Sequence, residues 1–464
     1  MWKCIQEKFS QEGFAREWGS FILVALFEAL FVGAALLQSK GMAFHRIYTN
    51  DGYYHTEQVS VVNSLLVCMA IFLLIQYLLI RYSYERRLCF SKLLCPIFVI
   101  STVGIVFHMY AGSGGTKYFI LLLMGIAVMV CFVFLGTFTL NATSCKVLSC
   151  FMICLAMINM VYGCLHRING SGAWVNVFGI SIQPGEIFKI FIVMYLSYAY
   201  IYIRDNKTVR RMFVATIVLQ IITLLVVKDF GNALIILFLC MFVILPFYSI
   251  KVALTGIVDV VVGLYFLCAI VQALGDALGN SYLVRRFSVV FHIFEKTEET
   301  QYRNVLYGVL RGGMQGTGLA EGAYTYSTTA YAATTDYAFL TIMAVFGIGI
   351  ALVVLGSIAL IVLNANLSME KHWELSRFCT GKIVSSVLVI QVLFHVAGGL
   401  NIFPFTGVTF PFLSAGGSAM FTNFAIIGMI LSSQLPYGEV QNMQGKIYGI
   451  KTLWEERKYG KSVC

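Results

Sequence analysis

Long runs of hydrophobic residues, separated by short polar intervals, dominate this chain of 464 residues. Runs of about bilayer-spanning length predict twelve membrane helices. They lie at 20–38, 61–80, 93–110, 118–140, 147–164, 185–203, 211–227, 231–249, 252–274, 336–363, 381–403 and 414–433. The runs at 118–140 and 147–164 are the least clearly separated pair. The pattern predicts an all-α polytopic membrane protein.

Basic residues in the short connections indicate the orientation, because Lys and Arg concentrate on the cytoplasmic side of a membrane. They follow the second, sixth and tenth predicted spans and continue in the C-terminal tail: Arg81, Arg86, Arg87, Lys92, Arg204, Lys207, Arg210, Arg211, Lys371, Arg377, Lys382, Lys446, Lys451, Arg457, Lys458 and Lys461. We therefore expect both termini in the cytoplasm. The polar interval from about Leu274 to Asp336, between spans nine and ten, then forms a large extracellular loop.

Composition agrees with a membrane protein, since 59% of the residues are hydrophobic and only 12% are charged. The 32 Lys and Arg residues exceed the 22 Asp and Glu residues, for a net charge of +10. Basic cytoplasmic loops explain this excess, so no nucleic-acid partner is predicted.

Two polar interruptions predicted on the outer face carry candidate site residues. The first, 166–186, contains Trp174 and ends at Glu186, and Lys189 follows at the i, i+3 spacing that allows a helical ion pair. The second, 228–232, contains Asp229. Structural alternatives remain open: Glu186 as a first-turn carboxylate of a helix that starts at Pro184, and Trp174 as an interfacial anchor.

A third outer interruption, 401–418, contains two prolines and three glycines, which preclude a regular helix. Irregular backbone at membrane depth survives only when it packs within protein or lines a cavity. We therefore predict that Asp336, Trp174, Glu186 and this turn, from Pro404 to Ser418, converge on one cavity open to the outer face.

Asp336 lies where the long polar interval re-enters an apolar run. A partly desolvated carboxylate there is suited to act as a base, and a helix N-cap is the structural alternative. Glu28 and Asp259, inside apolar runs, are expected to face the helix bundle. His108 and His395 are expected to be packed or interfacial.

The outer segments resemble the SEDS (shape, elongation, division, sporulation) family of peptidoglycan polymerases, the group of RodA, FtsW and SpoVE. The last segment matches the family signature at Pro404, Thr406, Gly407, Pro411, Phe412, Ser414, Gly416, Gly417 and Ser418. Gly170 and Trp174, 183–186 with Lys189, 229–231, the glycines at 313, 316 and 318, and 335–339 are similar to further family motifs. The resemblance divides the chain into N-terminal helices with two extra spans (1–164), a SEDS-like catalytic core (165–433) and a basic tail (434–464).

The resemblance implies a glycosyltransferase that polymerises lipid II at the outer face of the bacterial cytoplasmic membrane, with Asp336 as the residue that polymerisation requires. It implies substrate binding by Trp174, Glu186, Lys189, Asp229, Thr406, Ser414, Gly416, Gly417 and Ser418. Lys189, Arg167 and Arg303 are candidates for the leaving pyrophosphate. A divalent cation, Mg²⁺ or Mn²⁺, is an open expectation, held mainly by pyrophosphate.

A single-pass transpeptidase of the class B penicillin-binding type is the implied partner, and small residues such as Gly347, Gly349 and Ala351 are predicted to form a lipid-facing face for it. Three departures from the family pattern stand out: Val227 and Lys228 replace Gln-Pro, a Pro-Glu before Thr335 is missing, and Ala344 to Phe346 replace an acidic pair. Two alternatives therefore stay open, a flippase for lipid II or another polyprenyl lipid and a non-catalytic scaffold for a cell-wall synthase.

Overall fold

The computed structural model describes most of the membrane-embedded chain. The described residues are 2–48, 54–86, 90–111, 115–136, 142–166, 172–177, 180–203, 206–244, 300–319, 332–369, 375–400 and 407–435, with the single residues Leu88, Val258, Val262, Gly322 and Ile402. The predicted ninth span, 252–274, the tail after 435, Arg167, Asp259, Pro404 and Thr406 lie outside this description.

Helices form nearly all of the described structure, as expected where a bilayer offers the backbone no hydrogen-bond partners. They are α1 (Trp2–Ser39), α2 (Val62–Glu85), α3 (Ser91–Tyr110), α4 (Gly115–Leu135), α5 (Ala142–Leu165), α6 (Pro184–Ile203), α7 (Lys207–Val226), α8 (Phe230–Ile244), α9 (Thr300–Gly312), α10 (Ala338–Phe346), α11 (Ile348–Met369), α12 (Leu375–Gly399) and α13 (Gly417–Ser433). Within the described ranges, eight of them are long and apolar enough to cross a membrane. The polytopic membrane class predicted from hydropathy is confirmed.

Two antiparallel hairpins interrupt the helices, and hydropathy did not predict either of them. Strands β1 (Met42–Tyr48) and β2 (Tyr54–Ser60) join α1 to α2, with Met42 opposite Ser60. Strands β3 (Val175–Val177) and β4 (Ile180–Ile182) precede α6, with Val175 opposite Ile182. Pro184 begins α6, as the sequence predicted.

The prediction of one continuous span at 336–363 is wrong. The chain forms the nine-residue helix α10, breaks at Gly347 and then forms the 22-residue helix α11. Gly347 adopts φ +86°, and its backbone packs against Met314 in the glycine-rich segment after α9. The 22 residues of α11 are about 33 Å long, so α11 alone has the length of a membrane span.

The predicted lipid-facing face of small residues is also wrong at two of its three positions. Gly347 is buried at the break, and Ala351 is 2% exposed. Gly349 is exposed, with open space around it, and Gly356 on the same helix shares this property. An interior contact, rather than a membrane partner, therefore accounts for the small residue at Gly347.

Helix α3 lies at the centre of the N-terminal helices, with nearly all of its side chains buried. Pro96 lies inside this helix and has no N–H, so the carbonyl of Lys92 four residues earlier lacks its helical hydrogen bond. Asn364 Nδ2 of α11 donates to that carbonyl at 3.1 Å. The proline thus creates an acceptor through which the two helices are joined.

Buried carboxylates join α1 to its neighbours. Glu28 accepts hydrogen bonds from Gln76 of α2 and Thr102 of α3, both at 2.7 Å. Glu17 accepts bonds from Ser83 of α2 and Ser91 of α3. The expectation that Glu28 faces the bundle is confirmed.

One end of the bundle gathers the polar connections. Ser39 and Tyr110, at the C-terminal ends of α1 and α3, are joined by a hydrogen bond. Gly172, just before β3, donates its N–H to the carbonyl of Val227, at the end of α7. Tyr118, in the first turn of α4, reaches Phe412, just before α13. The interruptions picked out in the sequence therefore share one end of the molecule.

The break at Gly347 predicts that substitution of this glycine lowers the stability of the protein, whereas substitution of Gly349, two residues later, does not. A Cβ at Gly347 would overlap the Met314 carbonyl oxygen, and its positive φ is unfavourable for alanine. We expect Gly347→Ala to lower the melting temperature of the purified protein in detergent, whereas Gly349→Ala, with no neighbour within 4 Å, leaves it unchanged. Equal melting temperatures for the two variants would contradict this account of the break.

Candidate active site

Residues 407–418 form the centre of the candidate site, and we call them the site turn. They comprise an irregular segment, 407–416, and the first two residues of α13. Phe412 in this turn adopts φ +62°, a left-handed conformation that is unfavourable for a bulky residue. Tyr118 of α4 donates its hydroxyl to the Phe412 carbonyl at 2.7 Å, and His108 Nε2 of α3 lies 3.0 Å from the Leu413 carbonyl. These buried side chains satisfy carbonyls that no regular helix pairs.

The site turn holds the segment that carries Asp336. Ala415 donates its N–H to the Thr334 carbonyl at 3.0 Å, and Ser414 Oγ donates to the Thr335 carbonyl at 2.6 Å. Gly407 approaches Asp336 from the other side, so that a Cβ on this glycine would lie 3.4 Å from Asp336 Oδ2. The carboxylate therefore lies directly against the turn, and it is partly exposed.

The far end of the same turn contacts the start of α6. Ser418 Oγ accepts a hydrogen bond from the Gln183 N–H at 3.1 Å, and Thr422 Oγ1 donates to the Glu186 carbonyl at 3.1 Å. Ser414 and Ser418 thus link the Asp336 segment to the Glu186 segment through one piece of backbone.

A buried charge cluster lies at that end. Lys189 Nζ is 2.6 Å from Glu186 Oε2, and both side chains are almost fully buried. The predicted i, i+3 ion pair is confirmed. Asp229, which precedes α8, accepts hydrogen bonds at 3.0 Å from both Gln183 Nε2 and Asn232 Nδ2. Gly185 permits this approach, because a Cβ there would lie 2.5 Å from Asp229 Oδ2.

Burial raises the pKa of the Asp229 carboxyl above its usual range. The hydrogen bonds from Asn232 and Gln183 oppose this shift, and so does the positive charge of Lys189. Lys189 therefore lies within the field of two carboxylates, Glu186 and Asp229, and its own charge is already compensated.

The remaining predicted site residues lie around this arrangement. Gly416 is the N-cap residue of α13 and Gly417 its first residue, so the turn ends at a helix N-terminus. Trp174 is 39% exposed beside β3. Asp336 precedes Tyr337, which occupies the N-cap position of α10, so the N-cap alternative for Asp336 does not describe this helix. Convergence of all these groups on one open cavity stays a prediction.

Three residues that hold the turn were not singled out as site residues by the sequence: His108, Tyr118 and His395. Each lies within an apolar helix and directs a polar atom to a backbone carbonyl of the turn, at Leu413, Phe412 and Val408 respectively. The two histidines were expected to be packed, and they are. The signal that the sequence offered for these three residues was a polar side chain near the end of an apolar run.

Comparison with known proteins defines the class. The sequence profile of the FtsW/RodA/SpoVE cell cycle proteins matches residues 110–435, and the chain belongs to this family. The match begins earlier than the motifs at about residue 165, and it includes α4 and α5.

Particular relatives show the degree of likeness. The chain is 26% identical over 312 residues to a probable peptidoglycan glycosyltransferase FtsW of Bacillus subtilis, covering 61% of this chain and 72% of the relative. It is 26% identical over 300 residues to the peptidoglycan glycosyltransferase RodA of Mycobacterium bovis, covering 60% and 61%. A chain in a solved peptidoglycan synthase complex has a similar fold, with a TM-score of 0.54 at 19% identity, covering 74% of this chain and 96% of that one.

The burial of the Glu186–Lys189 pair predicts that removing its cation lowers the stability of the protein more than removing the cation of an exposed pair. Lys189→Met leaves a buried carboxylate without its cation, which typically costs about 3–5 kcal/mol. We expect a large drop in melting temperature, much of it recovered in the double variant Glu186→Gln/Lys189→Met. Arg81→Met removes the matched exposed pair with Glu85, at 2.7 Å, and we expect little change because solvent screens that pair. If Arg81→Met and Lys189→Met cost the same, the pair does not stabilise the site.

Proposed function

We propose that this protein is a peptidoglycan glycosyltransferase that polymerises lipid II into glycan strands at the outer face of a bacterial cytoplasmic membrane. One observation carries the proposal: in a member of this family, two hydrogen bonds from the site turn, at Thr334 and Thr335, fix the backbone directly before Asp336. A carboxylate held in this way at the polar end of a membrane bundle is suited to proton transfer at a lipid-borne sugar.

In the proposed reaction, the 4-hydroxyl oxygen of one lipid-linked disaccharide forms a bond to the anomeric carbon of another. The bond from that carbon to the pyrophosphate oxygen breaks, and undecaprenyl pyrophosphate leaves. Asp336 takes the proton of the attacking hydroxyl. Fixing the base against rigid backbone contributes to the rate by orientation as well as by proton transfer.

Stabilisation of the leaving pyrophosphate requires positive charge that is free to meet it. Lys189 is fully buried and paired with Glu186, which makes it a weak candidate. Arg303 is exposed on α9, and its face of that helix also presents Tyr307, Leu310 and Arg311. A face that combines guanidinium groups with apolar side chains suits an anionic lipid. We propose Arg303 and the N-terminus of α13 for this role.

The described residues offer a divalent cation no ready cage of side chains. Within the described ranges no three His, Cys, Asp or Glu residues come together as metal ligands. A Mg²⁺ or Mn²⁺ ion would therefore take most of its ligands from pyrophosphate, with Asp336 as a candidate side chain.

The twelve-span topology with cytoplasmic termini and an extracellular loop before Asp336 is part of this proposal. Its support is the alternation of the described helices. The C-terminal ends of four helices lie at the site turn or beside it: α1, α3, α5 and α7. The N-terminal ends of four others lie in the same place: α4, α6, α8 and α13. The domain limits 1–164, 165–433 and 434–464 stay a prediction.

Asp336→Asn tests the central role. The amide has nearly the same shape but cannot accept a proton, and loss of a general base typically costs about 10²–10⁴-fold in rate. We expect the purified variant in lipid vesicles to bind lipid II and to melt like the parent, yet to make no measurable glycan polymer. Glycan synthesis within a few-fold of the parent would assign Asp336 a structural role.

The same reconstitution separates the alternative functions. A flippase would deliver labelled lipid II to the opposite leaflet, whether or not Asp336 is substituted. A scaffold would neither make glycan polymer nor move the labelled lipid. A polar path through the bundle would have to use groups such as Glu28, whose carboxylate is engaged by Gln76 and Thr102.

A single-pass class B penicillin-binding protein is the proposed partner, because the glycan product must be crosslinked. The exposed glycines of α11, Gly349 and Gly356, offer a place for close helix packing in the membrane. We expect Gly349→Leu/Gly356→Leu to reduce co-purification of such a partner without lowering the melting temperature of the protein alone. Unchanged co-purification would exclude this face.

A further inference from the structure

His395 of α12 is fully enclosed and uses both ring nitrogens. Nδ1 lies 2.8 Å from the Val408 carbonyl oxygen in the site turn, and Nε2 lies 3.3 Å from the backbone N–H of Phe339 in α10. The side chain is 2% exposed. One imidazole therefore joins α10, which follows Asp336, to the part of the site turn against which the Asp336 carboxylate lies.

These contacts fix the form of the ring. The Phe339 N–H can only donate, so Nε2 must carry a lone pair, and the Val408 carbonyl can only accept, so Nδ1 must carry the hydrogen. His395 is neutral, in the Nδ1–H tautomer. In this state both of its nitrogens have a partner.

The contact between His395 and Phe339 also satisfies a backbone N–H in the first turn of α10. The first N–H groups of a helix have no partner within it, and the N-cap residue Tyr337 supplies no capping side chain. Nε2 of His395 provides the acceptor from another helix, three residues after Asp336. Aromatic packing surrounds the contact, because Phe339 stacks on Phe410 at 5.0 Å and the His395 ring meets Phe410 edge-on at 5.4 Å.

We propose that His395 is a positioning residue for Asp336: it sets the separation between the start of α10 and residues 407–410 of the site turn. Asp336 lies two residues before the first residue of α10. Its carboxylate lies against Gly407, one residue before Val408. The bond to Phe339 is the decisive one, because it holds the first turn of the helix that follows the Asp336–Tyr337 segment. This inference rests on the proposed glycosyltransferase function.

Three substitutions of His395 test its two hydrogen bonds separately. In His395→Gln the amide oxygen can take the place of Nε2 and accept from Phe339. In His395→Asn the amide nitrogen can take the place of Nδ1 and donate to Val408, while the contact to Phe339 is lost. His395→Leu loses both. Ser149→Ala is the matched control, because it removes a buried bond between α5 and α6, from Ser149 to Tyr195.

Steady-state polymerisation of lipid II and hydrogen exchange of the 338–346 amides are measured on each protein. We expect His395→Asn and His395→Leu to lower kcat by about 10- to 100-fold with little change in KM, since small displacements of a reacting group have effects of this size. Exchange in the first turn of α10 should accelerate in both. His395→Gln should stay within about threefold of the parent in kcat, with parent-like exchange. Ser149→Ala should lower the melting temperature and leave kcat unchanged.

Parent-like kcat in His395→Leu, or a Gln variant as impaired as the Asn variant, would overturn the proposal. So would an equal loss of kcat in Ser149→Ala, because general destabilisation would then explain the effect. If the parent makes no glycan, the proposed function fails on its own, and exchange at α10 still decides whether His395 holds that helix.

Discussion

The need to satisfy every backbone polar group away from water governs the candidate site. The site turn has few helical hydrogen bonds, and the carbonyls of Val408, Phe412 and Leu413 would be unpaired without outside donors. His395, Tyr118 and His108 supply those contacts from three different helices. The site turn also holds the Asp336 segment, so the position of the carboxylate depends on side chains that are distant in sequence.

Hydropathy alone predicted the placement of most described helices, because spans must be apolar and of a set length. It failed at Gly347, since a single glycine within an apolar run is compatible with a continuous helix. The positive φ at that residue follows from contact with the Met314 segment, which lies more than thirty residues earlier in the chain. The two hairpins were missed for a similar reason, as short strands give a weak signal beside long apolar runs.

Local spacing predicted part of the site and no more. The Glu186–Lys189 pair follows from one helical turn, so it could be inferred from two residues. The link between Gln183 and Ser418, or between Ser414 and Thr335, joins residues far apart in sequence. Only the shared placement of their segments on the predicted outer face suggested that they lie close together. Tyr118 and the two histidines are read as ordinary apolar-helix residues until the carbonyls they meet are known.

Pro96 has a mechanical consequence for the whole molecule. Its missing N–H leaves the Lys92 carbonyl to Asn364, which fixes the axial register of α3 against α11. Sliding by one residue, about 1.5 Å, would break this bond, so it favours a single register of the two helices. Gly347 separates α10 from α11, so the helix that follows Asp336 is not part of the helix that α3 anchors.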